Sequence, residues 1–325
     1  MIKYFTIFIC FIVISAGAQQ STQSSLYNFN PYDFNPAVAG IDGKLSINAD
    51  LRRQWIGLIG APLTQSLNAH LPVYFTKGGF GIQVKNSTVG VSRNIFAALS
   101  YNQIVEINES TLLSFGVSGG FSQFSFNGSE LRTPDGTYEG FPGISHNDFI
   151  LSEANESANA PMLSAGVLLS FRKFTLGVSA DNLLASTYEF DNNRNQIVFN
   201  QIRHYYGYLM YQLDLSEDLI LRPSVFVKAE SAELQMDITL SAEFKEKFSL
   251  GASYRGYNNI STDAIIIQGG FRLNNNIQFI YAYDIGLSEL VSAHSGSHEI
   301  LIRYQIDTKI GKGVPPPIIY NPRFL

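Results

Sequence analysis

Long runs of strict alternation between apolar and polar side chains dominate the chain after its first 43 residues. Between residues 234 and 245 every second residue is apolar, namely Leu234, Met236, Ile238, Leu240, Ala242 and Phe244. A period of two is typical of a β-strand whose two faces meet different surroundings. Several runs are about 9–12 residues long, close to the ~9–11 residues of a tilted membrane-crossing strand, whereas most strands in soluble proteins have about 5–6. The pattern predicts strands that cross a membrane.

The composition favours the same class of protein. Only 15% of the residues are charged, against about 25% in soluble domains, and the chain contains 24 Phe, 17 Tyr and 27 Gly. The mean hydropathy is +0.04, and no stretch after the leader is apolar over the ~18–20 residues of a membrane-spanning helix. The polar faces of the strands are rich in Ser, Gly, Thr and Gln, which favours a shared lumen over the wet face of a β-sandwich. A net charge of −5 provides no basic stripe, so nucleic acid is excluded as a default partner.

Residues 1–18 have the features of a secretory signal peptide. Lys3 precedes an apolar stretch over residues 7–14, and Ala16-Gly17-Ala18 forms a small-x-small cleavage site. Cys10, the only cysteine, lies in the middle of the apolar stretch rather than at its end, which argues against a lipoprotein. We therefore expect an exported, disulfide-free chain located in the bacterial outer membrane.

We predict an all-β fold, a transmembrane antiparallel β-barrel of about 14 strands with both termini periplasmic. The predicted strands are 44–54, 63–72, 78–87, 93–106, 111–126, 162–172, 174–183, 201–213, 219–229, 233–244, 248–255, 264–272, 277–283 and 298–307. Their connections alternate between mostly short turns and often long loops. Outer-membrane barrels show this asymmetry, with short periplasmic turns and longer extracellular loops.

These strands divide the chain into four parts. The signal peptide is followed by an N-terminal periplasmic or lumenal segment over residues 19–43, the barrel over 44–307, and a periplasmic tail over 308–325. The tail contains Pro315-Pro316-Pro317, which cannot continue a strand. The Gly-, Pro- and Asn-containing stretch 127–161 is predicted to be an extracellular loop, either free or folded into the lumen.

The sequence contains no recognisable catalytic, cofactor or metal site. After the leader there is no Cys nucleophile, GxSxG elbow or phosphate-binding loop. His294, His298 and Glu299 have the spacing of a metal pair, but Ser295-Gly296-Ser297 marks a loop, so we expect hydrogen bonding instead. Charges of both signs lie on the polar faces, which predicts a neutralised interior network rather than a selective ring of one sign.

Several motifs go beyond general barrel physics. They are Tyr27-Asn28-Phe29-Asn30-Pro31, Asn35-Pro36-Ala37-Val38-Ala39-Gly40, Arg52-Arg53-Gln54-Trp55-Ile56-Gly57, Gly60-Ala61-Pro62-Leu63-Thr64, Tyr281-Ala282-Tyr283-Asp284, Gly296-Ser297-His298-Glu299-Ile300 and Pro322-Arg323-Phe324. Their order and spacing resemble the PorP/SprF family of Bacteroidetes outer-membrane proteins. The additional Leu325 after Pro-Arg-Phe departs from the family pattern.

The resemblance implies a non-enzymatic, 14-stranded barrel of the type IX secretion and gliding machinery. Such a barrel binds, helps to export or anchors a secreted adhesin through its C-terminal domain. It also links to periplasmic ring or peptidoglycan-binding subunits. A passive outer-membrane channel for small or hydrophobic solutes remains the alternative. An outer-membrane enzyme such as a lipase would need a nucleophile, base and orienting group that the sequence does not supply.

The motifs also nominate structural or partner-contact residues. These are Asn35, Pro36, Gly40, Arg52, Gln54, Trp55, Gly57, Gly60, Pro62, Tyr283, Asp284, Gly296, Ser297, His298 and Glu299. The Asn-Pro pairs are turn formers that would lay the N-terminal segment across the periplasmic mouth or into the lumen. The loop glycines would shape a tight first loop beside the only Trp. Because the first strand pairs with the last in a closed barrel, Arg52 could form an ion pair with Asp284 or Glu299.

Overall fold

The computed structural model describes residues 22–138, 145–148, 153–191, 196–230, 233–256, 262–287 and 289–307. The signal peptide, the tail over 308–325 and parts of the predicted loop 127–161 therefore lie outside the described residues. Within the described residues, no helix is long and apolar enough to cross a membrane.

Fourteen antiparallel strands close into a barrel, which confirms the predicted fold class. They are β1 (Leu45–Arg53), β2 (Leu63–Val73), β3 (Gly78–Val89), β4 (Ser92–Asn108), β5 (Thr111–Asn127), β6 (Asn155–Phe171), β7 (Phe174–Asp181), β10 (His204–Tyr211), β12 (Leu219–Ala229), β13 (Leu234–Phe244), β14 (Phe248–Gly256), β15 (Thr262–Arg272), β16 (Ile277–Gly286) and β17 (Ser297–Ile306). The first and last strands, β1 and β17, pair along their whole length. Three further strands are not counted among the fourteen. Two of them, β8 (Thr187–Asp191) and β9 (Gln196–Asn200), form a hairpin, and β11 (Leu213–Asp214) has two residues.

The barrel has two unlike ends. At one, which we call the short-turn end, tight turns join strand pairs such as β6–β7 and β13–β14; the other is the long-loop end. Outward-facing aromatic side chains gather at the short-turn end: Phe80, Phe171, Phe174, Phe244, Phe248 and Phe271 are all exposed. Aromatic girdles of this kind mark membrane interfaces of barrels. The membrane side that each end and each terminus faces stays a prediction.

The wall is much taller on one side than on the other. Strands β4, β5 and β6 each have 17 residues, whereas β7 and β10 each have eight. The β6–β7 ladder ends at the pair Ala165 and Ala180, so within the described residues the edge of β6 over 155–162 has no strand beside it. Pro161 lies on this edge, and a proline without an N–H is a common protection of an open edge.

The prediction for the start of β6 was wrong by seven residues, since the strand begins at Asn155 rather than at 162. The extension has no apolar outward face, because Asn155, Ser157 and Asn159 are all exposed. Its inward face is covered instead by the β8–β9 hairpin, whose Tyr188 and Phe190 pack against Ala158, Ala160 and Phe126. The hairpin lies within the predicted loop 184–200 and was also missed.

The N-terminal segment fills the lumen, one of its two expected placements. Residues 22–43, which we call the lumenal segment, begin near Lys85 toward the long-loop end, where Thr22 Oγ1 lies 3.5 Å from Lys85 Nζ. The segment ends at the short-turn end beside β1. Midway, the hydroxyl of Tyr32 lies 2.7 Å from that of Ser100 on β4. Its side chains Leu26, Tyr27, Tyr32, Phe34, Ala37, Val38 and Ala39 are all buried.

Glycines on the inward wall allow this close approach. A Cβ placed on Gly116 of β5 would lie 2.2 Å from the backbone nitrogen of Ala37, and one on Gly79 of β3 would lie 2.1 Å from the carbonyl oxygen of Ala39. These distances are far below van der Waals contact, so a larger residue would displace the segment.

We therefore expect Gly116→Ala to destabilise the barrel by about 1–3 kcal/mol, because overpacking at backbone contacts cannot relax. Gly119→Ala is the matched control, since a Cβ there meets no atom within 4 Å, and its effect should stay within about 0.5 kcal/mol. Urea unfolding in lipid vesicles measures both changes. Equal midpoints for the two variants would contradict the packing described here.

Candidate functional site

Five acidic and basic side chains meet in the lumen toward the long-loop end. This charge cluster consists of Arg52 on β1, Asp237 on β13, Arg255 on β14, Asp284 on β16 and Glu299 on β17. Each residue lies on the inward face of its strand, and none is more than 3% exposed. The alternation of the strands thus brings distant parts of the sequence to one point.

The two guanidinium groups bridge the three carboxylates. Arg52 binds Glu299 at 2.7 Å through Nη1 and Asp284 at 2.6 Å through Nη2. Arg255 binds Asp284 at 3.0 Å and Asp237 at 2.8 Å. The ion pair expected for Arg52 is therefore present, with both candidate carboxylates. Planar Arg groups suit such shared, forked contacts.

The start of the lumenal segment binds directly to the charge cluster. The hydroxyl of Ser25 donates to Asp284 at 2.7 Å and accepts from Arg52 at 2.9 Å and Arg255 at 3.0 Å. The backbone N–H of Ser25 and the hydroxyl of Ser24 donate to Glu299 at 2.7 and 2.5 Å. These bonds supply donors to a cluster with one more carboxylate than guanidinium. The cluster therefore holds the lumenal segment in place.

Three motif residues shape the rest of that segment. Asn35 donates to the carbonyl of Val167 at 3.1 Å, and its side-chain oxygen accepts from the N–H of Ala37, across the turn begun by Pro36. Gly40 has a φ of +67°, and a Cβ there would lie 2.6 Å from the carbonyl oxygen of Leu71. Asn35, Pro36 and Gly40 thus have a structural place in the lumen.

The first loop of the long-loop end contains a second group of motif residues. Gln54 is buried, and its N–H donates to the carbonyl of Pro62 at 2.9 Å, which closes the loop. Gly57 and Gly60 have φ values of +102° and +73°, as a tight turn requires. At the tip, the side chain of Ile59 is fully exposed.

Three hydrogen bonds join this loop to the last one, and the first is donated by the N–H of Ser295 to the carbonyl of Ile56 at 2.7 Å. The N–H of Trp55 donates to the hydroxyl of Ser297 at 3.2 Å, and the N–H of Ile56 donates to the carbonyl of Gly296 at 2.9 Å. Gly296 itself has a φ of +85°. The two motif loops therefore form one unit above the charge cluster.

The side chains of Tyr283 and His298 point outward, away from the lumen. Both lie on the outward face of the wall with their rings 4.9 Å apart, and the Tyr283 hydroxyl donates to the carbonyl of Ser295 at 3.0 Å. The motif Tyr283-Asp284 and the motif His298-Glu299 are thus each divided between the outside and the lumen. Among the described residues, no group of three or more His, Cys, Asp or Glu side chains is arranged so that it could hold a metal ion.

Sequence reasoning missed part of the charge cluster. The residues nominated from the motifs include neither Asp237, Arg255 nor Ser25, and the polar-face charges predicted only a neutralised interior network. Arg255 was predictable from the alternation of β14, because Arg255 lies on the same face of the strand as Gly251 and Ser253. Nothing in the sequence indicated that Ser25 would reach it.

Comparison with known proteins identifies the family. The family described as "Type IX secretion system membrane protein PorP/SprF" matches residues 16–304. The chain belongs to the PorP/SprF family. The resemblance inferred from the motifs is therefore confirmed. Family and fold together locate this PorP/SprF member in the outer membrane as a protein of the type IX secretion system.

Solved structures share the fold of this PorP/SprF protein. The CymD monoaromatic hydrocarbon channel aligns with a TM-score of 0.51 at 10% identity, over 86% of this chain and 93% of that chain. The Pseudomonas putida toluene transporter TodX aligns with a TM-score of 0.50 at 10% identity, over 90% of this chain and 96% of that chain. No curated protein matches the sequence. At this identity the likeness concerns the barrel architecture alone.

Proposed function

We propose that this barrel is a non-enzymatic anchor of the type IX secretion and gliding machinery. It binds a secreted surface protein, an adhesin, through the C-terminal domain of that protein and helps to export it or hold it at the surface. The long-loop end faces the outside and binds this cargo. The short-turn end faces the periplasm and contacts ring or peptidoglycan-binding subunits.

The observation that carries the proposal is the occupied lumen. The lumenal segment is bonded to the charge cluster at one end and packed against wall glycines farther on. A barrel whose lumen is filled by its own chain has little room for solute flow. This favours a binding function at the surface of the barrel over transport through it. Family membership then supports secretion-system components and cargo as the partners.

The long-loop end offers the surface such a cargo would need. Ile59 at the tip of the first loop is fully exposed, and Val198 and Phe199 of the β8–β9 hairpin are 48% and 40% exposed. Exposed apolar residues beside polar loops are typical of protein-binding sites. Binding there would also explain why two motif loops are fixed to one another.

The test is a pull-down of C-terminally tagged protein from outer membranes in mild detergent, followed by mass spectrometry. Wild type should recover one large surface protein, and Ile59→Asp should reduce that recovery about tenfold or more, because burial of an Ile stabilises a contact by about 1.5–3 kcal/mol. Leu215→Asp is the matched control, since Leu215 is 58% exposed at the short-turn end. Recovery of periplasmic subunits without cargo would indicate a core machine part instead. A barrel that purifies alone and conducts ions would contradict the proposal.

A passive channel for small or hydrophobic solutes is the second candidate. The structural similarity to CymD, a monoaromatic hydrocarbon channel, and to TodX, a toluene transporter, favours it. This function requires an open or displaceable lumen, and planar-bilayer conductance of the wild-type barrel distinguishes it from the anchor.

A further inference from the structure

A row of polar side chains crosses the outer wall at the long-loop end. It connects six neighbouring strands, because consecutive pairings align Tyr283 with His298, His298 with Arg53, Arg53 with Leu63, Leu63 with Thr88 and Thr88 with Arg93. We call the polar members of this series, Tyr283, His298, Arg53, Thr88 and Arg93, the outer polar row; Leu63, between Arg53 and Thr88, is apolar. None of them belongs to the charge cluster, which lies on the other side of the same wall.

The row is positively charged, and the six strands that form it place no acidic side chain on their outward faces. The outward faces of β16, β17 and β1–β4 contain Arg53, Arg93 and His298 but no Asp or Glu. The acidic residues of these strands, Asp50, Glu106, Asp284 and Glu299, all lie on the inward side of the alternation. Within the described residues, neither Arg53 nor Arg93 forms an ion pair.

Hydrogen bonds fix Arg93 in place. Its Nε donates to the side-chain oxygen of Asn86 at 2.7 Å, and the side-chain amide of Asn86 donates to Gln65 at 2.9 Å. These bonds leave the two terminal amino groups of the Arg93 guanidinium without a partner among the described side chains. The group is thus oriented before any ligand arrives, which lowers the entropic cost of binding.

The row lies where the apolar band of the wall ends. Apolar outward-facing residues lie two or four positions along the same strands, on the side of the short-turn end. On β1, β2, β3 and β17 they are 40–54% exposed, namely Leu51, Leu67, Val84 and Ile300. An outward face that changes from apolar to polar marks the depth of the lipid headgroups. A cation at this depth meets lipid phosphates before it meets bulk water.

We propose that the outer polar row binds the phosphate of an anionic membrane lipid between Arg53 and Arg93. The two residues are three strands apart, so their backbones are separated by about 14 Å, and two long side chains can converge on a headgroup across that span. Guanidinium groups present several N–H donors in a plane, which suits phosphate oxygens. The Tyr283–His298 pair bounds the site on the other side of Arg53.

Trp55, the only Trp of the chain, lies two residues from Arg53 and supplies the fluorescence signal. The full-length barrel is reconstituted in bilayers containing brominated phosphatidic acid or brominated phosphatidylcholine, and quenching of Trp55 fluorescence gives their relative affinity. We expect tighter binding of phosphatidic acid, and about a five-fold loss of this preference for each of Arg53→Gln and Arg93→Gln. The preference should also fall with added salt.

Arg172→Gln is the control. Arg172 lies at the short-turn end, 5.2 Å over the ring of Phe171, and its removal should leave the preference unchanged. Equal quenching by the two lipids in the wild type would overturn the proposal, as would a preference that persists in the Arg53→Gln/Arg93→Gln variant. Displacement by millimolar inorganic phosphate would also overturn it, because the row would then bind a free anion rather than a lipid.

Discussion

Replacement of Arg52 by alanine is expected to destabilise the barrel by about 3–5 kcal/mol. The change leaves Asp284 and Glu299 buried beside one another with only Arg255 to compensate for them. A buried charge that loses its partner keeps its full desolvation cost, which is why the loss exceeds the value of the pair itself. Urea unfolding in lipid vesicles measures the change.

Two further variants separate charge from packing. The combination Arg52→Leu, Asp284→Asn and Glu299→Gln removes the uncompensated charges and leaves Arg255 with Asp237, so it should recover much of the lost stability. Arg203→Ala, which removes an exposed arginine, should change the free energy of unfolding by no more than about 0.5 kcal/mol. If Arg52→Ala unfolds like Arg203→Ala, the charge cluster has no structural role.

Removal of residues 22–43 is expected to convert a barrel with a filled lumen into one that conducts ions. The segment supplies most of the apolar contacts in the lumen, including Tyr27 and Phe34 packed against Tyr206, Tyr208 and Phe226. Without it, the inward wall consists largely of small polar residues and glycines, which water and ions can pass. Single-channel recording in planar bilayers should show steps of conductance that the wild type lacks.

The substitution Ser25→Asp tests the same idea with every element present. It adds a fourth carboxylate to a cluster that already contains three carboxylates and two guanidinium groups, so repulsion should release the start of the segment. Intermittent conductance is the expected result. A deletion variant that folds and yet stays closed would show that other parts of the chain block the lumen.

The strands were predictable because membrane and lumen impose opposite polarity on alternate residues. In β13, for example, Leu240 is exposed outward while Thr239 is buried in the lumen. The sequence shows this difference as an alternation of apolar and polar residues. The start of β6 was not predictable in this way. The outward side of the β6 extension is polar, with Ser157 and Asn159 exposed, so it lacks the alternation that marks the other strands.

The site was only half predictable. Strand pairing at the closure of the barrel brings Arg52 to Glu299, so two motifs from opposite ends of the sequence could be matched. The approach of Ser25 depends on where the lumenal segment runs. That path is set by individual contacts such as the one between Gly116 and Ala37. Such contacts cannot be predicted from a sequence pattern.

Arg52 and Glu299 are 247 residues apart, and their bond spans the seam where the first and last strands meet. We expect this bond to form late in folding, because contacts between residues far apart in the sequence carry the largest loop-closure cost. Once formed, the seam resists parting, since separation of β1 from β17 would divide buried ions as well as backbone bonds. Sideways opening of the wall would cost less at the short ladders, which are β6–β7 with seven aligned pairs and β10–β12 with six.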